Sequence, residues 1–576
     1  MEVIAPPRLR QRRAQCTASA GVAVAVAVAS AAVVGAPRRA ASQGGAGGAP
    51  PAALPFAWSE ATLVTIGSAA EERTRLGQLF GRDSTRGFLL RTPSVMTPPL
   101  PTRPGVITLA ALLPEAVLVR NSGVATPEND GALWAGRGEN VLVRGGVAAR
   151  VGRLTAVLAP EVAYSRNLGF QSTPAFLGGQ QPSTGPFAAE WFTGVYSVDL
   201  PIRFGDQPYT TFGFGQSHVA VTAGPVVAGV STENQWWGPS TRNALLVSNA
   251  AEGVPHAFVR TARPLRTRLG DVEARWILGG LTRSLYFETP PGTAEGRALN
   301  GAVATLRLAA EPGLTIGVAR LVLTPARAGS DLFGHALDVV LRNQDLGTGD
   351  TLRTVLRSDQ LTSVFARWVL PGAAGGGEVY GEFARLELPR SFRDFVLAPL
   401  NTGAYTLGVA RAWRGPAAGA LRGSLEVTNL EQSRTFTDRP PPPDYYTGRA
   451  APAGFTNRGQ PLGAAIGPGS QSQWAALDYY APRWQLGLFA QRTRNQNDAL
   501  YRVFVANLFR HDVSLSGGLR GGVRRRGVDA RATLTATRRL NYLFQNGTFN
   551  YLGVGSVDLR NVALGVSLSP VARAAR

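Results

Sequence analysis

The 576-residue sequence contains no lysine, so all 59 of its basic residues are arginine. It has one cysteine, four histidines and two methionines, and only 17% of its residues are charged. Each shortage removes a class of function. Cys16, the one cysteine, stands near the N-terminus and leaves the rest of the chain without disulfides, thiolate nucleophiles or cysteine metal sites. His218, His256, His335 and His511 are far apart, and none has the spacing of an HExxH-type motif. Neither a Gly-x-Ser-x-Gly elbow nor a phosphate-binding glycine loop is present, so the reading is a non-enzyme with no cofactor and no metal. Beyond the N-terminus no apolar run is long enough to cross a membrane as a helix. The formal charge of +21 invites a nucleic-acid reading. The arginines are scattered through strand-like segments, however, without a zinc finger, RNA-recognition motif or basic zipper, so nucleic acid is set aside as a partner.

What is present begins with targeting. Residues 1–42 read as a signal peptide: Arg8, Arg10, Arg12 and Arg13 form a basic n-region, Ala18 to Ala36 is small and apolar, and Ala40-Ala41-Ser42 is a cleavage site for the general secretory route. Val34-Gly35-Ala36 competes as a site but is followed by Pro37. Cleavage would remove Cys16, six arginines and Glu2, leaving a charge of +16. Residues 43–56 read as a flexible linker rich in Gly, Ala and Pro. Residues 57–113 read as a partly helical periplasmic region. In it Ser68-Ala69-Ala70-Glu71 has the form of a capping box, and Leu76, Leu79 and Phe80 make an apolar edge at helical spacing before Gly81.

The period then changes from 3.6 to 2. Val272, Ala274, Trp276 and Leu278 alternate with Asp271, Glu273, Arg275 and Ile277, and Leu421, Gly423, Leu425 and Val427 with Arg422, Ser424, Glu426 and Thr428. Alternation gives each strand one apolar and one polar face. Turn signals such as Gly152-Arg153, Gly224-Pro225 and Arg526-Gly527 separate about twenty strand candidates. So many hairpin-linked strands expose edges unless they close, and in lipid closure is obligatory. The fold expected over 114–570 is therefore an all-β, closed antiparallel transmembrane β-barrel in the cell outer membrane. Tyr286, Phe287, Trp413, Trp484, Tyr542 and Phe544 are candidates for its interfacial aromatic girdles, and the long insertions Gly169–Glu190 and Thr435–Ser472 for surface loops or lumen folds.

Two stretches carry a family resemblance. The first is Glu233-Asn234-Gln235-Trp236-Trp237-Gly238-Pro239, followed by Ala244-Leu245-Leu246-Val247-Ser248-Asn249-Ala250. The second is Tyr445-Tyr446-Thr447-Gly448, then Gly454-Phe455-Thr456-Asn457-Arg458-Gly459, Leu462-Gly463 and Ile466-Gly467-Pro468-Gly469. In this order they resemble the signature segments of the Wzi-type capsule assembly family, over roughly residues 60–570. The resemblance implies about eighteen strands, a helical element at the periplasmic end, and a lectin that holds capsular polysaccharide to the cell. It brings no enzymatic activity and no compact binding motif.

The residues themselves leave roles open. Trp236 and Trp237 can stack on sugar, with Asn234, Arg242 and Asn243 bonding hydroxyls or acidic groups, or can serve as a structural plug; tryptophan packs first, which favours the plug. Asn457 and Arg458 sit in a glycine-rich loop, where the arginine either binds acidic sugar or pairs with a wall carboxylate. Glu378 and Glu382, with Tyr380 between them, would share one face toward the lumen, and a solvated inner face is preferred to a glycosidase acid pair. The expected function is binding of acidic capsular polysaccharide or exopolysaccharide, with outer-membrane lipid and the barrel-assembly machinery as further partners. The alternative is a porin-like diffusion channel for small solutes.

Overall fold

The computed structural model describes residues 56–102, 104–172, 197–287, 296–326, 329–340, 344–345, 355–356, 358–389, 391–432, 444–503, 508–547 and 552–571. The proposed signal peptide and nearly all of the proposed linker lie outside them, as does most of Gly169–Glu190.

Eighteen strands, each antiparallel to its neighbour in sequence, close into a barrel. They are β1 (Ile107–Asn121), β2 (Gly138–Val151), β3 (Leu154–Leu158 and Glu161–Ser165), β4 (Tyr209–Gly213 and His218–Ala223), β5 (Val226–Ser231), β6 (His256–Thr261 and Leu265–Arg266), β7 (Gly270–Leu281), β8 (Gly296–Leu308) and β9 (Leu314–Ala326). The second half runs β10 (Asp359–Leu370), β11 (Gly377–Leu386), β12 (Gly403–Arg414), β13 (Ala420–Asn429), β14 (Gln471–Tyr480), β15 (Trp484–Arg494), β16 (Val513–Arg525), β17 (Val528–Leu540) and β18 (Leu559–Pro570). β18 closes onto β1, with Ala563 opposite Asn121 through Leu568 opposite Ala116. β3 is interrupted at Pro160, which has no N–H for the ladder.

The period of two becomes an inside and an outside. On β10, Leu361, Ser363, Phe365, Arg367 and Val369 point inward and are buried, whereas Val364, Trp368 and Leu370 stay exposed. Leu407, Leu425, Leu477, Leu488, Leu519, Leu534 and Leu564 continue the exposed apolar belt around the wall. Such a belt is a liability in water and the matching surface for hydrocarbon, which is the wall of an outer-membrane barrel. Connections at one end are tight, as at Gly152-Arg153 and Gly224-Pro225, and at the other end long, spanning 122–137, 232–255 and 430–470. By the rule for these barrels the tight end is periplasmic and the long end extracellular.

Trp413 and Trp484 face outward at the tight end, where a girdle belongs. The girdle expected of the other aromatics is corrected by their burial: Phe287, Tyr542 and Phe544 are enclosed side chains, and Tyr286 packs edge-on against Phe204. Sequence proximity to a strand end does not say which way a loop turns afterward.

The segment before the barrel folds against and into it. Phe56–Ala61 runs parallel to the first half of β1, Phe56 opposite Ile107. β1 begins at Ile107, ahead of the boundary expected at 114, because the ladder shifts register between Leu112 and Glu115. Pro114 sits in that bulge, and the bulge breaks the alternation that would have revealed the earlier strand. Helix α1 (Ala69–Leu79) follows a working capping box: the Ser68 hydroxyl accepts the Glu71 N–H at 3.4 Å, and the Glu71 carboxylate accepts the Gly67 N–H at 2.6 Å. α1 lies inside the tight end. Arg75 Nε donates to Glu378 Oε1 at 2.8 Å, and the Leu79 carbonyl accepts the Gly372 N–H at 3.0 Å.

Candidate functional site

The inner wall of β11 is not solvated, which corrects the expectation for Glu378, Tyr380 and Glu382. All three point inward as their spacing requires, but each is buried and matched to protein. Glu378 receives Arg75, Arg367 and Arg422 at 2.8, 2.6 and 3.5 Å. Tyr380 donates to Glu426 Oε2 at 2.7 Å, and Glu382 Oε2 accepts the Leu245 N–H at 3.1 Å. The chain itself supplies what water would have supplied.

Two long connections supply it, and they contain the two signature stretches. In 232–255, Trp236–Trp237 pairs antiparallel with Leu90–Arg91 from the N-terminal segment. The Trp237 indole donates to Gln235 Oε1 at 3.1 Å, and its ring lies against Gly301, Leu321 and Ile277 of the wall. A Cβ at position 301 would come within 2.7 Å of Leu321 and 2.9 Å of Trp237, so the seat requires glycine. Arg91 locks the pair from behind. Its guanidinium lies 4.9 Å over the Trp236 ring, meets Glu71 Oε1 at 2.6 Å, and donates to the Gly238 and Ser240 carbonyls at 3.0 and 2.9 Å. The next turn is gathered by one wall carboxylate, Glu426, which accepts the N–H groups of Thr241, Arg242 and Asn243 at 2.7, 3.0 and 3.0 Å.

The 444–470 stretch docks on the first. Tyr446 donates to the Leu245 carbonyl at 2.8 Å and accepts the Ala464 N–H at 2.7 Å, and Ser248 N–H reaches the Leu462 carbonyl at 2.7 Å. Asp359 of β10 accepts the N–H groups of Arg449 and Ala451 at 2.9 and 2.8 Å. Tyr445, Tyr446 and Phe455 are fully buried beside Trp237 and Leu245 in the largest apolar cluster. Together with α1 these stretches occupy the lumen along β7–β13.

Of the seven residues singled out from the sequence, Asn234, Trp236, Trp237, Asn243 and Asn457 are buried. Asn234 bridges Gln216 and the Ala251 carbonyl, each at 2.7 Å, and Asn457 Oδ1 accepts the Thr282 N–H at 3.2 Å. Arg242 and Arg458 keep exposed area. Arg242 lies 4.2 Å over Trp474 and meets Glu128 at 2.6 Å. Arg458 stands at the tip of a two-residue turn joining Thr456–Asn457 to Gln460–Pro461, with positive φ at Arg458 and Gly459, as a type I′ turn needs. Its Nε is 2.8 Å from Glu252, and its side chain remains 42% exposed.

Below that tip lies an aromatic group that sequence reasoning missed. Gly459 abuts the Phe204 ring, which has Trp134 at 4.7 Å, Tyr209 at 4.9 Å and Tyr286 at 5.9 Å. Trp134 and Phe204 are buried, while Tyr209 and Tyr286 are half-buried at the mouth. Three connections and strand β4 contribute, so no local pattern could have signalled it. Among the described residues no cluster of three or more His, Cys, Asp or Glu side chains could hold a metal ion.

No curated protein sequence matches the chain significantly. Among solved structures it is similar to Wzi of Escherichia coli, described as an outer-membrane, carbohydrate-binding barrel involved in group 1 capsule assembly, with 11% identity, a TM-score of 0.49, and 79% of this chain and 83% of that one covered. It is also similar to OccAB2 of Acinetobacter baumannii, with 8% identity, a TM-score of 0.38 and coverage of 79% and 97%. OprD of Pseudomonas aeruginosa shows 10% identity, a TM-score of 0.36 and coverage of 80% and 93%. The family model for the capsule assembly protein Wzi matches residues 122–550, most of the barrel and both luminal stretches, and this chain belongs to that family.

Proposed function

We propose that this protein is a non-enzymatic outer-membrane barrel that binds an acidic capsular polysaccharide or exopolysaccharide at its extracellular mouth and holds it to the cell. The observation that carries this reading is that the two signature stretches of a capsule-assembly family pack inside the barrel and carry Arg458 and its neighbouring aromatic rings to the mouth, the face for a polymer. Tyr209 and Tyr286 offer ring faces for sugar, and Arg458 above them offers a planar fork for a carboxylate. Buried Asn457 and Asn234, with Trp236 and Trp237, act through the scaffold that presents this tip; Arg242 and Asn243 belong to the turn that Glu426 gathers. Outer-membrane lipid and the barrel-assembly machinery are its other partners on this reading.

The experiment compares cell-bound with shed polysaccharide in a strain lacking the protein, complemented by wild type, Arg458→Ala or Tyr286→Ala. Wild type should restore retention, and each variant should weaken polymer binding about tenfold, ~1.4 kcal/mol. Unchanged distribution of polymer in the deletion strain would sink surface attachment. Binding indifferent to salt would remove the acidic character of the ligand.

A further inference from the structure

On the outward face at the extracellular end, strand register places Leu515, Arg538 and Arg560 side by side on β16, β17 and β18. One outward step toward the periplasm stand Gly517, Ala536 and Val562, and the next row is Leu519, Leu534 and Leu564. Leu564 faces Arg120 on β1, and Arg120 faces Glu139 on β2. Glu139 holds Arg166 at 2.7 Å and Arg120 at 3.4 Å, and Arg538 meets Asp558 at 3.0 Å. Arg137 joins them by donating to the Ser122 carbonyl at 3.2 Å, beside Val562. Five arginines thus stand with two carboxylates on one sector of the rim, and the side chains of Arg120, Arg166 and Arg538 are more than half exposed.

Two like charges directly opposed on neighbouring strands repel, and a charge on the lipid face is tolerated only at the level of the headgroups. The Arg538–Arg560 pair breaks the first rule where the second places phosphate. Beneath it the wall is aliphatic, so the sector is complementary to an amphiphile: an anionic head for the guanidinium forks and acyl chains for Val562, Leu534 and Leu564. Elsewhere on the rim the outward face differs. Between β9 and β10, and between β11 and β12, short helical segments present exposed Phe333, Phe392 and Leu397. We propose that the Arg538–Arg560 sector binds the phosphorylated headgroup of an outer-leaflet lipid, in a docking site separate from the glycan mouth.

The test titrates the full barrel in detergent with bisphosphorylated lipid A, dephosphorylated lipid A and inorganic phosphate, reading bound lipid by native mass spectrometry. Bisphosphorylated lipid A should bind at least tenfold tighter than the dephosphorylated form, and the Arg538→Gln/Arg560→Gln double variant should lose that preference. Arg525→Gln/Arg526→Gln, at the tight end, should bind as wild type. Heat-dependent gel migration checks that each barrel is folded, and Arg560→Gln alone replaces the double variant if that one fails to insert. Equal binding of the two lipids, or a preference that survives the substitutions, overturns the proposal. Displacement of lipid A by millimolar inorganic phosphate would assign the sector to a free anion and overturn it as a lipid site.

Discussion

Glu378 is one carboxylate among three buried guanidiniums, from α1, β10 and β13. Glu378→Gln would keep its shape and remove its charge, leaving Arg75, Arg367 and Arg422 uncompensated in a water-poor interior. Breaking a buried ionic group in this way costs ~3–5 kcal/mol. The expected result is a lower urea midpoint for unfolding, with folded barrel still recovered in the absence of urea. Asp130, in the loop between β1 and β2, behaves differently. Burial pushes its carboxyl up to about 6, the Glu128 N–H bond opposes this, and the Glu128 carboxylate adds to it. Its folded pKa thus lies above the unfolded value of about 3.9. The folded loop therefore holds the proton longer, and its stability is greatest below pH ~4 and falls as pH rises to ~6. Asp130→Asn keeps an acceptor for Glu128 and removes this penalty. Loop amides from Glu128 to Ala135 should then exchange more slowly than wild type at pH 7, by up to ~3 kcal/mol of opening energy, and equally at pH 4.

At the scale of elements, the Trp236–Trp237 strand depends on a hole in the wall. Gly301 on β8 leaves room for the indole between Leu321 and Ile277. Gly301→Val should cost ~1–3 kcal/mol by overpacking and lift the strand from its seat. Limited proteolysis within 232–255 should then cut the variant and spare wild type; equal resistance would mean that the strand is held by Arg91 and Glu426 alone. α1 depends on its cap and on Glu378, since only Leu76 and Leu79 give it a buried apolar edge against Val369, Ala412 and Tyr480. Its capping box was legible as a four-residue motif, because the donors it satisfies are local. Its destination inside the barrel was not, because the contacts that hold it come from residues hundreds of positions away.

At the scale of the whole molecule, the luminal stretches and α1 enter the barrel from opposite ends. The wild-type protein should give no stepwise conductance in planar bilayers, whereas a chain lacking residues 56–100 should. That deletion removes α1 and the Leu90–Arg91 partner of Trp236–Trp237 together. Steps of steady size from wild type would revive the diffusion channel that the sequence left as an alternative.

The sequence by itself determined the period of two, the inward and outward parity of each strand, the capped helix and the order of the two signature stretches. These are local properties, written within a few residues. It did not determine what the inner face would meet. Parity sends Glu378, Tyr380, Glu382 and Glu426 inward whether they meet water or protein, and only closure of eighteen strands around the returning loops sets protein against them. The same closure buried Trp236, Trp237 and Asn457, left Arg458 at the tip of its turn, and gathered Tyr209 of β4 and Tyr286 of the β7–β8 connection. Which residues remain free to meet a polymer depends on which others are consumed in packing, and that competition is decided only in three dimensions.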